Sequence, residues 1–360
     1  MKQNYDVIIT GAGPAGAVTA LYLEQFGIKP LVIDKATFPR EKICGDAISA
    51  YTVNRLKELG LESQLEPLPK TKIHRIVYSS PNQTQVTLKF APDGKEDEIY
   101  GYVVRRKDFD YMLFKNLKER VDVLEGKKVT DIVVENGKVK GVLLENQSDP
   151  VYARIVVGAD GYHSLIAREM GVYDQNPRHW LIAVRAYYEG VTEMIDAIEM
   201  HFAPNILPGY FWIFPVEEGI TNVGLGMPKD VIKDKKLNLK NLLTETLDLP
   251  LFKHRFANAK PVSNLVGWNL PIANVRRKIS GDGFILVGDA AGLVDPFTGE
   301  GVGNAIASAK IAAETIKELL EKDDVSAEAT SLYEQKLWQK LGSDLELSRK
   351  LLKMANWGWL

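Results

Sequence analysis

The turn Gly11-Ala12-Gly13-Pro14-Ala15-Gly16 constrains this chain more than any other segment. An apolar run at residues 6–10 leads into it, and a helical stretch at 17–26 leaves it and stops at Gly27. A second β-rich run, 31–33, then ends at Asp34. Strand, glycine turn, helix and strand make a βαβ unit, whose parallel strands belong in an α/β sheet. A GxGxxG inside such a unit reads as a dinucleotide cradle. Gly11 permits the tight turn, Gly13 lets backbone approach a pyrophosphate, and Gly16 lets helix and strand pack closely. The helix N-terminus offers phosphate its free N–H groups and the positive end of its dipole. Asp34 stands 18 positions beyond Gly16, at a strand end where a carboxylate accepts from ribose hydroxyls.

Beyond this unit the hydrophobic period changes back and forth. Residues 51–59 have helical spacing closed by Gly60, 73–90 alternate apolar and polar, and 106–121 are helical again. Residues 123–143 predict strands with a hairpin turn at Asn136-Gly137, and 155–157 a short buried strand. Residues 181–226, dense in aromatic and β-branched side chains, predict antiparallel strands. A last buried strand is expected at 284–287, a long helix at 302–320, and a peripheral helix beyond Lys322. The α/β segments thus bracket β-rich insertions, as in a discontinuous nucleotide-binding domain with a second domain threaded through it. The expected boundaries are 1–73, 101–172 and 269–325 for the first, 74–100 and 173–268 for the second, and 326–360 for a helical tail.

Composition removes other classes. With 360 residues, 45% hydrophobic and 26% charged, disorder and fibrous architectures are excluded. A net charge of -2 gives no field favouring nucleic acid. The single Cys44 permits no disulfide within the chain, which fits a reducing compartment. The five histidines show no metal-ligand spacing, so no metal site is expected. No apolar run approaches the ~20 residues that span a bilayer. A cytoplasmic protein starting at or near Met1 is the expectation.

Three further blocks carry chemistry. In Val104-Arg105-Arg106-Lys107-Asp108-Phe109-Asp110, acidic residues suit a helix first turn, and a charged amphipathic helix start explains them equally well. In Val156-Val157-Gly158-Ala159-Asp160-Gly161, a buried strand delivers Asp160 to the carboxyl edge of the sheet, where open α/β sheets bind ligands. A strand at 284–287 likewise delivers Gly288-Asp289. Gly299, Gly301 and Gly303 then bring backbone N–H groups to the start of a helix, where negative charge is favoured.

In this order the four blocks resemble the flavoprotein superfamily that includes p-hydroxybenzoate hydroxylase, over about residues 5–320. Its marks are GxGxxG, RxxFD (Arg106, Phe109, Asp110), GADG and GD. Within it, three stretches resemble the geranylgeranyl reductase branch: Phe38-Pro39-Arg40-Glu41-Lys42-Ile43-Cys44-Gly45-Asp46, Gly288-Asp289-Ala290-Ala291-Gly292, and Pro208-Gly209-Tyr210-Phe211-Trp212-Ile213-Phe214-Pro215 followed by Asn222-Val223-Gly224-Leu225-Gly226. Asp34 stands where many archaeal lipid reductases carry Glu. The resemblance implies an α/β fold, with a Rossmann-like, discontinuous FAD-binding domain and an inserted antiparallel β-rich substrate domain. It implies FAD contacts at Gly11, Gly13, Pro14, Ala15, Gly16, Asp34, Lys35, Cys44, Gly45, Arg106, Val129, Asp160, Gly161, Asp289, Pro296, Gly299, Gly301, Val302 and Gly303. Asp34 would serve the adenosine ribose and Asp289 the ribityl chain.

The implied activity is FAD-dependent reduction of carbon–carbon double bonds in a prenyl substrate, geranylgeranyl or polyprenyl. Cys44, Tyr210 and Trp212 are the catalytic candidates, although a cysteine is often just a small buried hydrophobe and the two rings also suit a core. The alternatives are a flavin-dependent hydroxylase of an apolar or aromatic molecule and a non-catalytic flavin relay. A halogenase would show Trp-x-Trp-x-Ile-Pro, and this chain lacks the first Trp and the Ile. NAD(P)H and ferredoxin are both open as electron donor, the latter making a donor protein a partner. A lipid substrate leaves room for peripheral membrane contact, with Trp357 and Trp359 open equally as an interfacial anchor or as simple packing. Tyr210, Trp212 and Phe214, spaced two apart, should share one strand face with Tyr187, Phe202 and Leu225 around them. No cluster of Arg or Lys is expected there, and that face should wall an apolar tunnel, the alternative being that it is simply the core of the second domain.

Overall fold

The computed structural model describes residues 4–89 and 101–356. They form two compact units, Met1–Arg40, Asp110–Gln175 and Pro271–Ser348 making the first, Glu41–Phe109, Asn176–Leu270 and Arg349–Leu360 the second. Trp357 and Trp359 lie outside the described residues.

In the first unit, five strands run parallel in the order Phe284–Leu286, Val151–Gly158, Asn4–Thr10, Leu31–Asp34, Asp122–Glu125. Strands covered on both faces read as continuous apolar runs, and Val7, Ile8, Ile9, Val32, Ile155 and Ile285 are all fully buried. Helices Pro14–Gln25 and Val302–Glu321 pack against each other. The hairpin of Val129–Glu135 and Lys138–Leu144 turns on Asn136 and Gly137 with φ of 52° and 78°, the positive values a two-residue turn requires. Thr10 pairs with Gly158 and Ile33, and Gly158 with Leu286, so the central strands end level. The glycine turn, Asp34, Asp160 and Gly288 therefore leave one sheet edge together.

The helix Ala327–Asn356 is not peripheral as expected. Tyr333 and Leu337 are fully buried, and the Tyr333 hydroxyl donates to the Leu286 carbonyl at 2.9 Å. Glu334 accepts from Ile279 N, Ser280 N and Ser280 Oγ. Tyr333, Leu337, Leu341 and Leu345 recur every four residues and are all buried, a narrow apolar stripe on a mostly polar helix.

In the second unit a sheet runs Lys260–Pro261, Trp180–Glu189, Ile220–Pro228, Tyr210–Glu217, Ala197–His201, Arg75–Ser79, Gln85–Lys89. Neighbours are antiparallel except Ala197–His201 on Arg75–Ser79. That parallel pair departs from the expected pattern. The long chain between its two strands allows it, since parallel neighbours need a crossover. One face carries Phe211, Ile213, Val223 and Leu225 under helices Leu239–Leu247 and Pro250–Lys253. The other carries Trp212, Phe214, Val216, Tyr187 and Met200, packed with Ile73 and Val103. Those last two belong to a small sheet of Ala47–Ser49, Gly101–Val104 and Lys70–Ile73. Residues 41–73 and 101–109, expected with the nucleotide-binding domain, sit in the second unit because this small sheet shares its core.

Candidate cofactor-binding and catalytic site

The first cluster is the sheet edge of the first unit. Gly11 has φ 105°, and a Cβ there would fall 2.4 Å from Ala159 O. A Cβ on Gly16 would fall 1.8 Å from Gly11 O. Both glycines are thus demanded by packing. Gly13 differs, since among the described residues a Cβ there would meet, within 4 Å and beyond its chain neighbours, just the Arg40 guanidinium at 3.5 Å. Space is kept open at the start of Pro14–Gln25, a helix with no side-chain cap on its N-terminus. Asp34 Oδ2 accepts from Ala12 N at 2.7 Å and Oδ1 from Ala36 N at 2.8 Å. Asp34 therefore braces the turn, and each oxygen retains a lone pair. Lys35 beside it is exposed and Pro14 and Ala15 are buried.

Asp160 Oδ2 accepts from Leu165 N at 2.7 Å, whereas its covered Oδ1 has no partner among the described residues. Burial raises the Asp160 pKa, and the hydrogen bonds around it offset this only in part. Gly161, with φ 78°, starts the next turn. Gly288, with φ 59°, wedges between Ala15 and Ala305, where a Cβ would lie 3.0 and 3.2 Å from their methyls. This strand-end glycine lets two helices close on the strand. Asp289 next to it has no carboxylate partner among the described residues. Asp295 Oδ1 accepts from Phe297 N and Thr298 N and orders the loop to Gly299, which has φ 72°. Pro296 is buried in that loop, and Gly301 heads the 20-residue helix Val302–Glu321 without a side-chain cap, with Val302 and Gly303 its first residues. Val129, at the start of its strand, pairs with Leu144. An open backbone turn, a covered Asp160 oxygen and an Asp289 carboxylate that both lack donors among the described residues, and helix N-termini without side-chain caps there fit the hydroxyls and phosphates of a dinucleotide such as FAD.

Arg40 was missed as a site residue. Its Nη1 pairs with Asp110 at 3.0 Å, and the Asp110 side chain is fully buried. The guanidinium also lies over Phe38 at 4.8 Å, and Phe38 stacks on Phe114 at 4.1 Å. The Asp of the RxxFD block thus holds a cation beside Gly13. The signal was present in the sequence only as two distant charges.

The second cluster lies within the second unit. Half-buried Cys44 accepts at its carbonyl from Asn222 Nδ2 at 2.9 Å. Asn222 Nδ2 also donates to Asp46 Oδ2 at 2.7 Å, and Asn222 Oδ1 accepts from Trp212 Nε1 at 2.9 Å. The Tyr187 hydroxyl donates to Asp46 Oδ2 at 2.7 Å and Arg106 N to Asp46 Oδ1 at 3.3 Å. Burial raises the Asp46 pKa against these hydrogen bonds and the nearby Arg185, and raises that of Tyr187 as well. Gly45 lies against Phe214, where a Cβ would approach a ring carbon at 3.2 Å. Tyr210 is half-buried with its ring 6.0 Å from those of Trp212 and Phe202. Arg106 is buried at the head of its helix, Arg106–Arg120.

Two expectations about this face need correction. Leu225 points to the opposite face of the sheet, because alternation puts it with Phe211 and Ile213. The face is also not free of cations. Arg185 is buried over the Tyr187 ring at 4.1 Å, its Nε without a hydrogen-bond partner among the described residues, and Arg105 stands 4.9 Å from the same ring and pairs with Glu217. Aromatic faces attract cations, and the Asp46 charge supports Arg185 there.

The family described as "FAD binding domain" matches residues 4–330. Digeranylgeranylglycerophospholipid reductase 1 of Methanopyrus kandleri is 33% identical over 360 residues, 98% of this chain and 91% of that protein. The digeranylgeranylglycerophospholipid reductase of Methanosarcina acetivorans is 32% identical over 356 residues, 97% and 84% of the two chains. Among solved structures, a geranylgeranyl bacteriochlorophyll reductase-like protein of Thermoplasma acidophilum superposes with a TM-score of 0.86 at 26% identity, over 99% of this chain and 92% of that one. The flavin-dependent brominase Bmp2 has the same fold, with a TM-score of 0.84 at 24% identity over 99% and 89% of the chains.

Proposed function

Since this chain belongs to the FAD binding domain family, and within it to the geranylgeranyl reductase-like FAD-dependent oxidoreductases, we propose that it reduces carbon–carbon double bonds in the prenyl chains of a lipid. The observation that carries this reading is likeness over nearly the whole chain to reductases whose names state such a substrate. When bound, FAD supplies the two-electron hydride chemistry that alkene reduction needs. In this reading the open backbone at Gly13, with Arg40 beside it, takes the pyrophosphate. Asp34, Asp160 and Asp289 accept hydrogen bonds from its hydroxyls, and the helix head at Gly301–Gly303 favours negative charge. Half-buried Tyr210 presents apolar surface to the prenyl chain, with buried Trp212 packed behind it, and each buried CH₂ contributes ~0.8 kcal/mol. Cys44 stands beside the reacting alkene. A lipid substrate brings the protein to a membrane surface, and no helix among the described residues is long and apolar enough to cross one.

The second reading, a flavin-dependent hydroxylase of an apolar or aromatic molecule, is favoured by one observation. Buried Arg185 gives the aromatic face a polar partner that a purely apolar substrate does not require. Purified protein loaded with FAD and reduced by dithionite without oxygen, then given digeranylgeranylglycerol phospholipid, should return lipid heavier by one H₂ per double bond reduced. No mass gain without oxygen, with oxygen uptake matching substrate, would replace the reductase by the hydroxylase. Exchanging dithionite for NADH, NADPH or reduced ferredoxin then identifies the donor.

A further inference from the structure

Asp46 combines three features that stability alone does not require. It is buried, it is ionisable, and its backbone has φ of 70° in the left-handed region. Asp adopts that region more readily than most residues, yet the conformation persists only where surroundings over-determine it. Here Val104 N donates to its carbonyl at 3.0 Å, while Tyr187, Asn222 and Arg106 N all donate to its carboxylate. A buried carboxylate is costly unless fully hydrogen-bonded, and an apolar residue would satisfy packing at less cost. The bonds instead run to one place. Asn222 spends its two N–H groups on Asp46 and on the Cys44 carbonyl, and its oxygen on Trp212. Phe214 presses on Gly45 from the same strand as Trp212.

We propose that Asp46, Tyr187 and Asn222 are positioning residues that hold Asp46 in its left-handed backbone conformation at the end of the Cys44-Gly45-Asp46 segment and so present the Cys44 thiol in one orientation. Asp46 is the hub, Asn222 the arm that reaches Cys44, and Tyr187 the clamp that orients the Asp46 carboxylate. Arg185 and Arg105 against the Tyr187 ring keep that clamp in place. The importance of this orientation for turnover rests on the reductase reading; the positioning itself does not.

The chain has one cysteine, so iodoacetamide labelling followed by intact mass measurement reads this thiol alone. In FAD-loaded protein, Asn222→Ala and Asp46→Gly should each raise the labelling rate about fivefold, the scale of one lost hydrogen bond. Tyr187→Phe should raise it about twofold to threefold, and Tyr188→Phe, on the other face of the sheet, should leave it unchanged. Asp46→Asn keeps shape and tolerance of positive φ, and it should still fold with a raised rate. For double-bond reduction, Asp46→Asn should lower kcat about tenfold with KM within about twofold, the split expected when orientation rather than binding is lost. A residue that only supports the fold would lower the melting temperature and leave that split unmoved. Labelling rates unchanged in folded Asn222→Ala, Asp46→Asn and Tyr187→Phe would overturn the proposal. Raised labelling without any prenyl reduction in the wild type would sustain it while overturning the reductase reading.

Discussion

Gly13 and Gly16 stand three positions apart in one turn, yet their substitution should fail in opposite ways. Gly16→Ala drives a methyl into the Gly11 carbonyl and should destabilise the fold by ~1–3 kcal/mol, as overpacking does. Gly13→Ala meets only the tip of Arg40, so the melting temperature should hold while flavin affinity falls at least about tenfold. Thermal unfolding and flavin fluorescence titration separate the two. Asp160 makes a related test. Its folded pKa is raised by burial, so the folded state binds a proton more tightly than the unfolded one, and stability falls as pH rises through that raised value. Asp160→Asn removes this penalty. The flavin-free variant should melt at or above the wild-type temperature at pH 7, yet bind FAD more weakly. A clear loss of flavin-free stability would show that the carboxylate is structural.

Among the elements, the strand Ala197–His201 carries a buried ion cluster with its own pH signature. Glu199 takes two hydrogen bonds from Arg255, at 2.7 and 2.8 Å, and one from His201 at 3.2 Å, while His201 Nδ1 meets Ser79 Oγ at 2.8 Å. Burial by itself would raise the Glu199 pKa, but the bonds from Arg255 and His201 outweigh it and hold it below the ordinary 4.5. A depressed carboxylate contributes stability above its unfolded pKa and loses it as pH falls. The melting temperature should therefore drop as pH falls below about 5, the region where unfolded glutamates take up protons. Glu199→Gln should flatten that drop and cost ~3–5 kcal/mol at pH 7 by leaving Arg255 unpaired. An unaltered pH slope in Glu199→Gln would place the acid sensitivity elsewhere. In the first unit, Tyr333→Phe leaves the buried Leu286 carbonyl without its donor and should cost ~1–3 kcal/mol in urea unfolding.

For the molecule as a whole, cofactor binding and folding should be linked. A ligand that binds only the folded chain stabilises it by ~2.7 kcal/mol at a hundred times its Kd. FAD should raise the melting temperature, and Asp289→Ala should lose most of that rise while the flavin-free protein melts unchanged, since Asp289 makes no side-chain hydrogen bond among the described residues. Full retention of yellow colour and of the stabilisation in Asp289→Ala would remove Asp289 from the flavin site.

Local chemistry sufficed for the βαβ unit, the Asn136-Gly137 hairpin, the strand-end aspartates and the α/β class. Each rests on residues near in sequence, where period, glycine and turn preference act directly. The pairing of Trp212 and Phe214 on one face was legible for the same reason, because alternation is a property of a single strand. What pairs across the chain was not. Arg40 meets Asp110 over 70 positions, Asp46 meets Tyr187 over 141, and Asn222 meets Cys44 over 178. Nothing in the local pattern distinguishes these side chains from solvated ones. Buried Arg185 and buried Tyr333 escaped similarly, because a cation that stacks on a ring and a stripe spaced every four residues take their meaning from the neighbours the fold brings. Hydrophobic period sets which elements form, whereas burial of a polar group is worthwhile only once its distant partners are in place, and that only the tertiary structure decides.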